Sequence, residues 1–277
     1  MSDGVAPDDD TDRTERARGA LVGLACGDAL GRPVAGDSAA AVRDRYGRVT
    51  DLLGADGRRA GTTTDRTGAA VATARDLTGE SPERPLDGAA TVAGPAAGAG
   101  LTAAVPVGLV DATAAERADA AAGRAAAGDG DTDAATVEAA AALAGVVGER
   151  LDGATTDAAL ATARTVALDR GAPVPQVPTL AVVGDRAAVT LAAAGSAVAL
   201  LETALHEATT ADGVDGAAVS AVSRGGDAST LGAVAGAVAG AREGEAAVPA
   251  RWRNELSDRV PELRRLADLL VGVSLRE

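Results

Sequence analysis

Residues 19–31 of the chain read GALVGLACGDALG, a run of small and apolar residues interrupted by one acid. Apolar side chains recur within it at the three- and four-residue spacing of a helix with one buried face. The positions concerned are Ala20, Leu21, Leu24, Ala25 and Ala29. We therefore predict a buried helix from Thr14 to about Leu30.

Helical patterns continue on the C-terminal side of this stretch. We predict a short helix around Val42, one from Thr64 or Asp65 to about Leu77, and others at 112–127, 133–149, 154–168, 187–209, 214–223, 227–242 and 253–272. Four prolines between 82 and 106 predict short helices and loops there. Only Ala181-Val182-Val183 weakly suggests a strand. The pattern predicts a single all-α domain over residues 13–277, preceded by a disordered acidic segment, residues 1–12.

The excess of acidic over basic residues argues against one class of partner, nucleic acids. The chain has 277 residues, of which 47% are hydrophobic, and 40 acidic residues against 26 basic ones give a net charge of −14. All the basic residues are arginine, and together with the acidic excess this is typical of a cytosolic protein from a salt-loving organism. Nucleic-acid binding requires a basic surface, so we expect no nucleic-acid partner.

The single cysteine and the single histidine exclude several kinds of catalytic and metal site. Cys26 is the only cysteine and His206 the only histidine, which excludes an intrachain disulfide, a cysteine metal cluster, a histidine triad and histidine-ligated zinc. The N-terminus lacks the features of a signal peptide, and no stretch is apolar enough for a membrane span. These features predict a cytoplasmic location and no membrane partner, but they leave the oligomeric state open.

Two short segments combine carboxylates with hydroxyls where a helix is predicted to begin. They are residues 63–67, TTDRT, and residues 225–230, GGDAST. Such oxygen ligands suit a hard cation such as Mg²⁺, and two clusters could share one. Thr, Asp and Ser are also favoured N-cap residues, so Thr64, Asp65 and Asp227 have a purely structural interpretation as well.

Six motifs, in order, resemble the ADP-ribosylglycohydrolase family, whose members remove ADP-ribose from modified proteins. They are GALVGLACGDALG at 19–31, YGRVTD at 46–51, Thr64-Asp65, PVGL at 106–109, Gly225-Gly226-Asp227 and PARW at 249–252. Together they span about residues 15 to 272. The resemblance implies an all-α orthogonal multi-helix fold whose cleft holds two Mg²⁺ ions and the distal ribose of ADP-ribose.

The resemblance also implies which residues form the site. The metal ligands would be Thr64, Asp65, Asp227 and Thr230, and Arg66 and Ser229 stand where the family has two further aspartates. The segment that lines the substrate cleft in the family corresponds to residues 98–103 and places Gly98, Gly100 and Thr102 near the substrate. ADP-ribose or an ADP-ribosylated protein would be the partner.

Departures from the family pattern fall in the same presumed cleft. Asp65 and Asp227 offer two negative charges and Arg66 adds one positive charge, which is too little for two divalent ions. The family's Glu near the substrate is replaced by residues 34–36, VAG, its Asn and Arg are absent from residues 98–103, and its Thr-His falls near 130–131, GD. Losses at these places predict one bound Mg²⁺ or none.

Two functions from different classes therefore remain. The first is a family member with a degenerate dinuclear Mg²⁺ site that is non-catalytic or retains weak ADP-ribose binding, and this is the one that we favour. The alternative is an active hydrolase that cleaves the glycosidic bond of an ADP-ribosylated protein or a related conjugate. Our specific hypothesis is that Arg66 occupies the space of one metal and pairs with Asp65 or Asp227.

Other polar and aromatic residues have structural interpretations. We expect Asp28 to accept structural hydrogen bonds, Cys26 to be packed, and Trp252 to anchor the C-terminal helix. His206, which lies close to two glutamates on one helix, is expected at the surface.

Overall fold

The computed structural model describes residues 9–80, 97–127, 133–170 and 197–275 of the chain. Twelve α-helices form within these ranges, and two 3-10 helices, Arg32–Val34 and Glu245–Ala247, lie between them. The α-helices are α1 (Asp9–Gly31), α2 (Ala39–Tyr46), α3 (Asp65–Thr78), α4 (Ala97–Gly108), α5 (Ala114–Ala126), α6 (Ala134–Leu151), α7 (Thr156–Asp169), α8 (Ala197–Thr210), α9 (Gly213–Val222), α10 (Ala228–Glu243), α11 (Ala250–Glu255) and α12 (Val260–Val271).

The centre of the fold is an antiparallel contact between α1 and α10. Glycines at every fourth position of α1 face glycines at every fourth position of α10, in the pairs Gly19–Gly240, Gly23–Gly236 and Gly27–Gly232. A methyl group added at any of these positions would overlap the backbone carbonyl of the opposite helix. The two backbones can approach this closely only because no side chain separates them. We call this region the glycine contact.

Other helices surround this pair. α3 and α12 contact each other, α12 contacts α1, and α8 and α9 contact α10, while α4 and α6 pack together beside them. The core that results consists mostly of Ala, Val and Leu side chains. Trp252 of α11 is buried and donates from its ring Nε1 to the Thr50 carbonyl oxygen at 3.0 Å, so it anchors the C-terminal region as expected.

The all-α prediction is confirmed: the described residues form no β-strand, and only isolated β-bridges occur outside the helices. One predicted helix is wrong in its extent: residues 253–272 form the end of α11 and then α12. Pro261 explains the break, because proline fits the first turn of a helix but not its interior. Conversely, Pro106 lies inside α4, near its C-terminus, where we expected loops and short helices.

The N-terminal boundary also differs from the prediction. α1 begins at Asp9, inside the segment that we expected to be disordered, whereas residues 1–8 lie outside the described residues. Asp12 pairs with Arg16 one turn later at 2.6 Å, and acids in a first turn interact favourably with the helix dipole. The predicted helix start at 187, the weak strand at 181–183 and the motif near 130–131 lie outside the described residues as well.

None of the helices in the part of the chain that the structure describes combines the length and apolarity that a membrane crossing requires.

Candidate functional site

Three helix N-termini and one residue of α1 meet beside the glycine contact. α3 begins at Asp65 with Thr64 as its N-cap, and α10 begins at Ala228 with Asp227 as its N-cap. The first turn of α4 lies against both. The structure therefore brings together the two segments that the sequence singled out, and both N-cap interpretations are also correct.

Asp28 of α1 fixes the start of α3. Its carboxylate accepts from the backbone N–H and the hydroxyl of Thr64, both at 2.7 Å, and from the backbone N–H and hydroxyl of Thr67 at 3.2 and 2.6 Å. Burial raises the pKa of this carboxyl group, and the four hydrogen bonds oppose that rise. Asp28 thus has the structural hydrogen-bonding role that the sequence predicted.

Arg66 is fully enclosed by the two segments. Its side chain is 1% exposed, and all three of its guanidinium nitrogens donate to site residues. Nη1 donates to Asp65 at 3.0 Å, Nη2 to Asp227 at 3.2 Å, and Nε to the Thr230 hydroxyl at 2.9 Å. The sequence hypothesis named Asp65 or Asp227 as the partner, and the structure pairs Arg66 with both.

The two carboxylates differ in their surroundings. The Asp65 side chain is 38% exposed, whereas that of Asp227 is 4% exposed. Asp227 also accepts from the Thr230 hydroxyl at 2.7 Å and from the Thr230 backbone N–H at 3.2 Å. We call Asp65, Arg66, Asp227 and Thr230 the arginine cluster. It carries two negative charges and one positive charge in formal terms.

The remaining predicted metal-site residues are used otherwise. The Thr64 hydroxyl donates to Asp28 and accepts from the Arg66 backbone N–H at 3.1 Å. Ser229 is buried, and its hydroxyl faces the Asp28 carbonyl oxygen of α1 at 3.4 Å. The structure therefore directs both side chains toward α1 and the helix start.

The predicted substrate residues on α4 fall into two groups. Gly98 lies directly on the arginine cluster, because a Cβ built there would come within 2.6 Å of the Arg66 Nε and 2.9 Å of an Asp227 oxygen. Gly100 instead faces Thr136 of α6. Thr102 is buried, and its hydroxyl donates to the carbonyl oxygens of Gly98 and Ala99 in its own helix. Of the three, Gly98 alone touches the arginine cluster in these contacts.

Residues 34–36, where the resemblance led us to expect a Glu, are tied to the loop before α10. The Gly36 N–H donates to the Gly226 carbonyl oxygen, and the Gly226 N–H donates to the Asp37 carbonyl oxygen, both at 2.8 Å. Val34, at the start of this segment, is buried. The connection holds Asp227 in place but brings no carboxylate to it.

Sequence reasoning missed Thr67 and misplaced His206. Thr67 lies three residues after Thr64 and therefore on the same face of α3, which was the available signal for a shared partner. His206 and the neighbouring Glu202 and Glu207 are buried, contrary to the surface position that we expected, because α8 packs on α10 and α9. The two glutamates close to His206 in the sequence suggested an exposed helix face, but the structure buries all three residues.

Comparisons with known proteins agree with this geometry. The sequence model of the ADP-ribosylglycohydrolase family matches residues 9–93 and 77–277. Among solved structures, one described as an "ADP-ribosylglycohydrolase-related protein complex" superposes with a TM-score of 0.73 at 25% identity, covering 96% of this chain and 100% of that one. No protein with curated annotation matches significantly. Since the family model covers almost the whole sequence, the chain belongs to the ADP-ribosylglycohydrolase family.

Proposed function

We propose that this chain is a non-catalytic member of its family, in which the Arg66 guanidinium takes the place of the metal ions. The observation that carries the proposal is that Arg66 donates at once to Asp65, Asp227 and Thr230. These are three of the four residues that the family resemblance assigns as metal ligands.

The residues present do not fit a dinuclear magnesium site. Mg²⁺ depends on carboxylate oxygens, and within the described ranges no three acidic, histidine or cysteine side chains converge as metal ligands. A unit charge 4 Å from the guanidinium meets a repulsion of about 4 kcal/mol near a protein surface, and a divalent ion about twice that. A metal at this position would have to displace Arg66, whose guanidinium is buried and bonded to three side chains.

The site can still recognise part of a ligand. The Asp65 carboxylate is partly exposed beside the first turn of α4, so one edge of the arginine cluster faces solvent. The family acts on ADP-ribosylated substrates. We therefore propose that the chain binds ADP-ribose weakly and cleaves no glycosidic bond. The protein then acts as a binding module rather than as a hydrolase.

Calorimetry and an activity assay on the wild-type chain test the proposal. Titration with MgCl₂ is expected to show no tight two-site binding, and incubation with an ADP-ribosylated protein is expected to release no ADP-ribose. Two tightly bound Mg²⁺ ions per chain, or release of ADP-ribose with Mg²⁺ present, would refute the proposal and establish the hydrolase alternative.

A gain-of-function variant sharpens the test. Arg66→Asp combined with Ser229→Asp restores two carboxylates, and we expect its thermal midpoint to rise with Mg²⁺ concentration. The matched control is Arg66→Asn with Ser229→Asn, which has nearly the same shape without the charge and is expected to show no such rise. An equal response of both double variants, or a response of the wild type, would contradict the role given to Arg66.

A further inference from the structure

A groove near the N-terminal half of α1 gathers four arginines. It has a volume of about 470 Å³ and lies between α1, the 3-10 helix Glu245–Ala247, α11 and α12. The arginines that line it are Arg18, Arg253, Arg264 and Arg265. Arg18 precedes Asp28 by ten residues, which is about 15 Å along a helix axis, so this arginine groove is separate from the arginine cluster.

Each arginine of the groove has an acidic partner, but the partners are shared unequally. Glu245 is buried and accepts from Arg264 Nε at 2.9 Å, and Asp268 accepts from Arg18 Nε at 2.6 Å. Glu15 is the only other acid among the lining residues. Arg265 pairs with Glu80 outside the groove lining, whereas Arg253 and Arg264 share the Glu245 carboxylate.

Arg253 is the least satisfied of the four. Its Nη1 reaches Glu245 only at 3.4 Å, and its buried Nε finds no hydrogen-bond acceptor. Buried N–H groups are nearly always paired with protein, water or a bound ion. Arg253 lines the groove with a side chain that is 26% exposed, so a bound anion would meet a guanidinium that Glu245 holds only at 3.4 Å.

The surroundings of the groove are basic in an otherwise acidic protein. Residues 43–62 and 249–265 together contain ten arginines and six acids, whereas the rest of the chain contains sixteen arginines and thirty-four acids. The fold joins these two segments through Arg59–Asp258 at 2.6 Å and Arg251–Asp51 at 2.9 Å. Three of the four groove arginines, Arg253, Arg264 and Arg265, belong to the second of these segments.

We propose that the arginine groove binds a small polyanion with phosphate or carboxylate groups, and that Arg253 is its principal contact. Guanidinium groups bind such oxyanions through two parallel hydrogen bonds, and the volume is that of a small-molecule site. The proposal is independent of the function proposed for the arginine cluster, because the two regions share no lining residue.

Calorimetric titration with pyrophosphate and, separately, with citrate tests this at fixed ionic strength and without divalent ions. The wild type is expected to bind at least one of the two in a saturable 1:1 fashion. Arg253→Met is expected to weaken binding about tenfold or more, because a hydrogen-bonded charge is lost. Arg251→Met is the matched control: Arg251 lies on the same short helix and pairs with Asp51 outside the groove. It is expected to change affinity less than twofold.

The comparison of these variants decides the outcome. Saturable binding by the wild type that Arg253→Met weakens and Arg251→Met does not supports the proposal. Absence of saturable binding of both anions, or equal weakening by the two variants, overturns it. Arg253→Lys, which keeps the charge without the fork, is expected to bind with intermediate affinity and covers the case in which Arg253→Met does not fold. Full affinity in the lysine variant would overturn the role of the guanidinium.

Discussion

Helix α10 is held in two different ways along its length. At the glycine contact, its backbone lies directly against that of α1, and the interaction is one of close packing without charge. At its N-terminus, Asp227 and Thr230 bind Arg66 of α3 through an ion pair and hydrogen bonds. Both regions are buried and both join α10 to another helix. One depends on steric packing, and the other on charge and hydrogen bonding.

The difference determines what each region tolerates. The glycine contact is set by hard-sphere overlap, so that no residue with a side chain fits. The arginine cluster requires that buried charge be balanced and buried donors be paired, and more than one chemical group can meet those requirements. On the function that we propose, this is how the fold persists when an arginine takes the place of metal ions.

Gly27→Ala, a substitution at the glycine contact, is expected to cause the largest loss of stability. The added methyl group would overlap the Gly232 carbonyl, which is backbone and cannot rotate away, so α1 and α10 must separate. We expect a loss of about 4 kcal/mol or more in unfolding free energy, above the usual cost of overpacking. Denaturant titration measures it.

The same substitution at Gly123 is its control. Gly123 lies in α5, and a Cβ there would meet no atom within 4 Å. Because alanine favours helix over glycine by about 1 kcal/mol, Gly123→Ala is expected to stabilise the chain. Similar losses in the two variants would show that helix propensity, and not the glycine contact, explains the first result.

Replacing the guanidinium tests the second region. Arg66→Met keeps much of the side-chain volume but leaves the buried Asp227 carboxylate without its ion pair. Breaking a buried pair costs about 3 to 5 kcal/mol, and the partial exposure of Asp65 favours the lower end of that range. We expect a loss of about 3 kcal/mol by denaturant titration.

A double-mutant cycle separates the pair from its packing. Arg66→Met combined with Asp227→Asn removes the charge of both partners and is expected to be more stable than the sum of the single losses predicts. Strict additivity would mean that the Arg66–Asp227 pair contributes no coupling energy. Arg66 would then stabilise the site through Asp65, Thr230 and packing, and the ion pair between α3 and α10 would not be what holds the N-terminus of α10.

The same contrast explains how much the sequence could predict. Helix positions follow from hydrophobic periodicity and N-cap chemistry, which are local. The meeting of the segments 63–67 and 225–230 is predicted instead from their shared ligand chemistry and from the family resemblance. The direction of Ser229 toward α1 and the burial of His206 depend on which neighbours pack against α10 and α8, and no local pattern contains that information. The arginine groove likewise assembles residues far apart in the chain.

Asp28 links the two regions, because it follows Gly27 of the glycine contact and accepts from Thr64 and Thr67, on either side of Arg66. Asp28→Asn keeps the shape but replaces one acceptor oxygen with a donor, which then faces the Thr64 and Thr67 donors. Unpaired buried donors cost about 1 to 3 kcal/mol, and we expect a loss of about 2 kcal/mol in unfolding free energy. Thr67→Val, which removes one of the four hydrogen bonds, is expected to cost about 1 kcal/mol. A larger loss from Thr67→Val than from Asp28→Asn would contradict the central role of the carboxylate.

Glu202 of α8 shows what a buried carboxylate near α10 does without an arginine such as Arg66. One of its oxygens has no hydrogen-bond partner, and burial raises its pKa from 4.5 to about 7. A raised carboxyl pKa contributes stability that is fully present below pH 4.5 and is lost as the pH rises through about 7.

Glu202→Gln does not titrate, so it is expected to match the wild type near pH 4.5 and to exceed it at pH 8, by about 3 kcal/mol in unfolding free energy for a pKa rise from 4.5 to about 7. Denaturant titrations at the two pH values measure this difference. Asp157→Asn on the exposed first turn of α7 is the control, and we expect its effect to be nearly the same at both pH values. If Glu202→Gln is less stable than the wild type at pH 8, the Glu202 carboxylate has an ionic partner. Glu202 and Asp227 would then both be buried carboxylates with a charged partner, and the contrast between them would be lost.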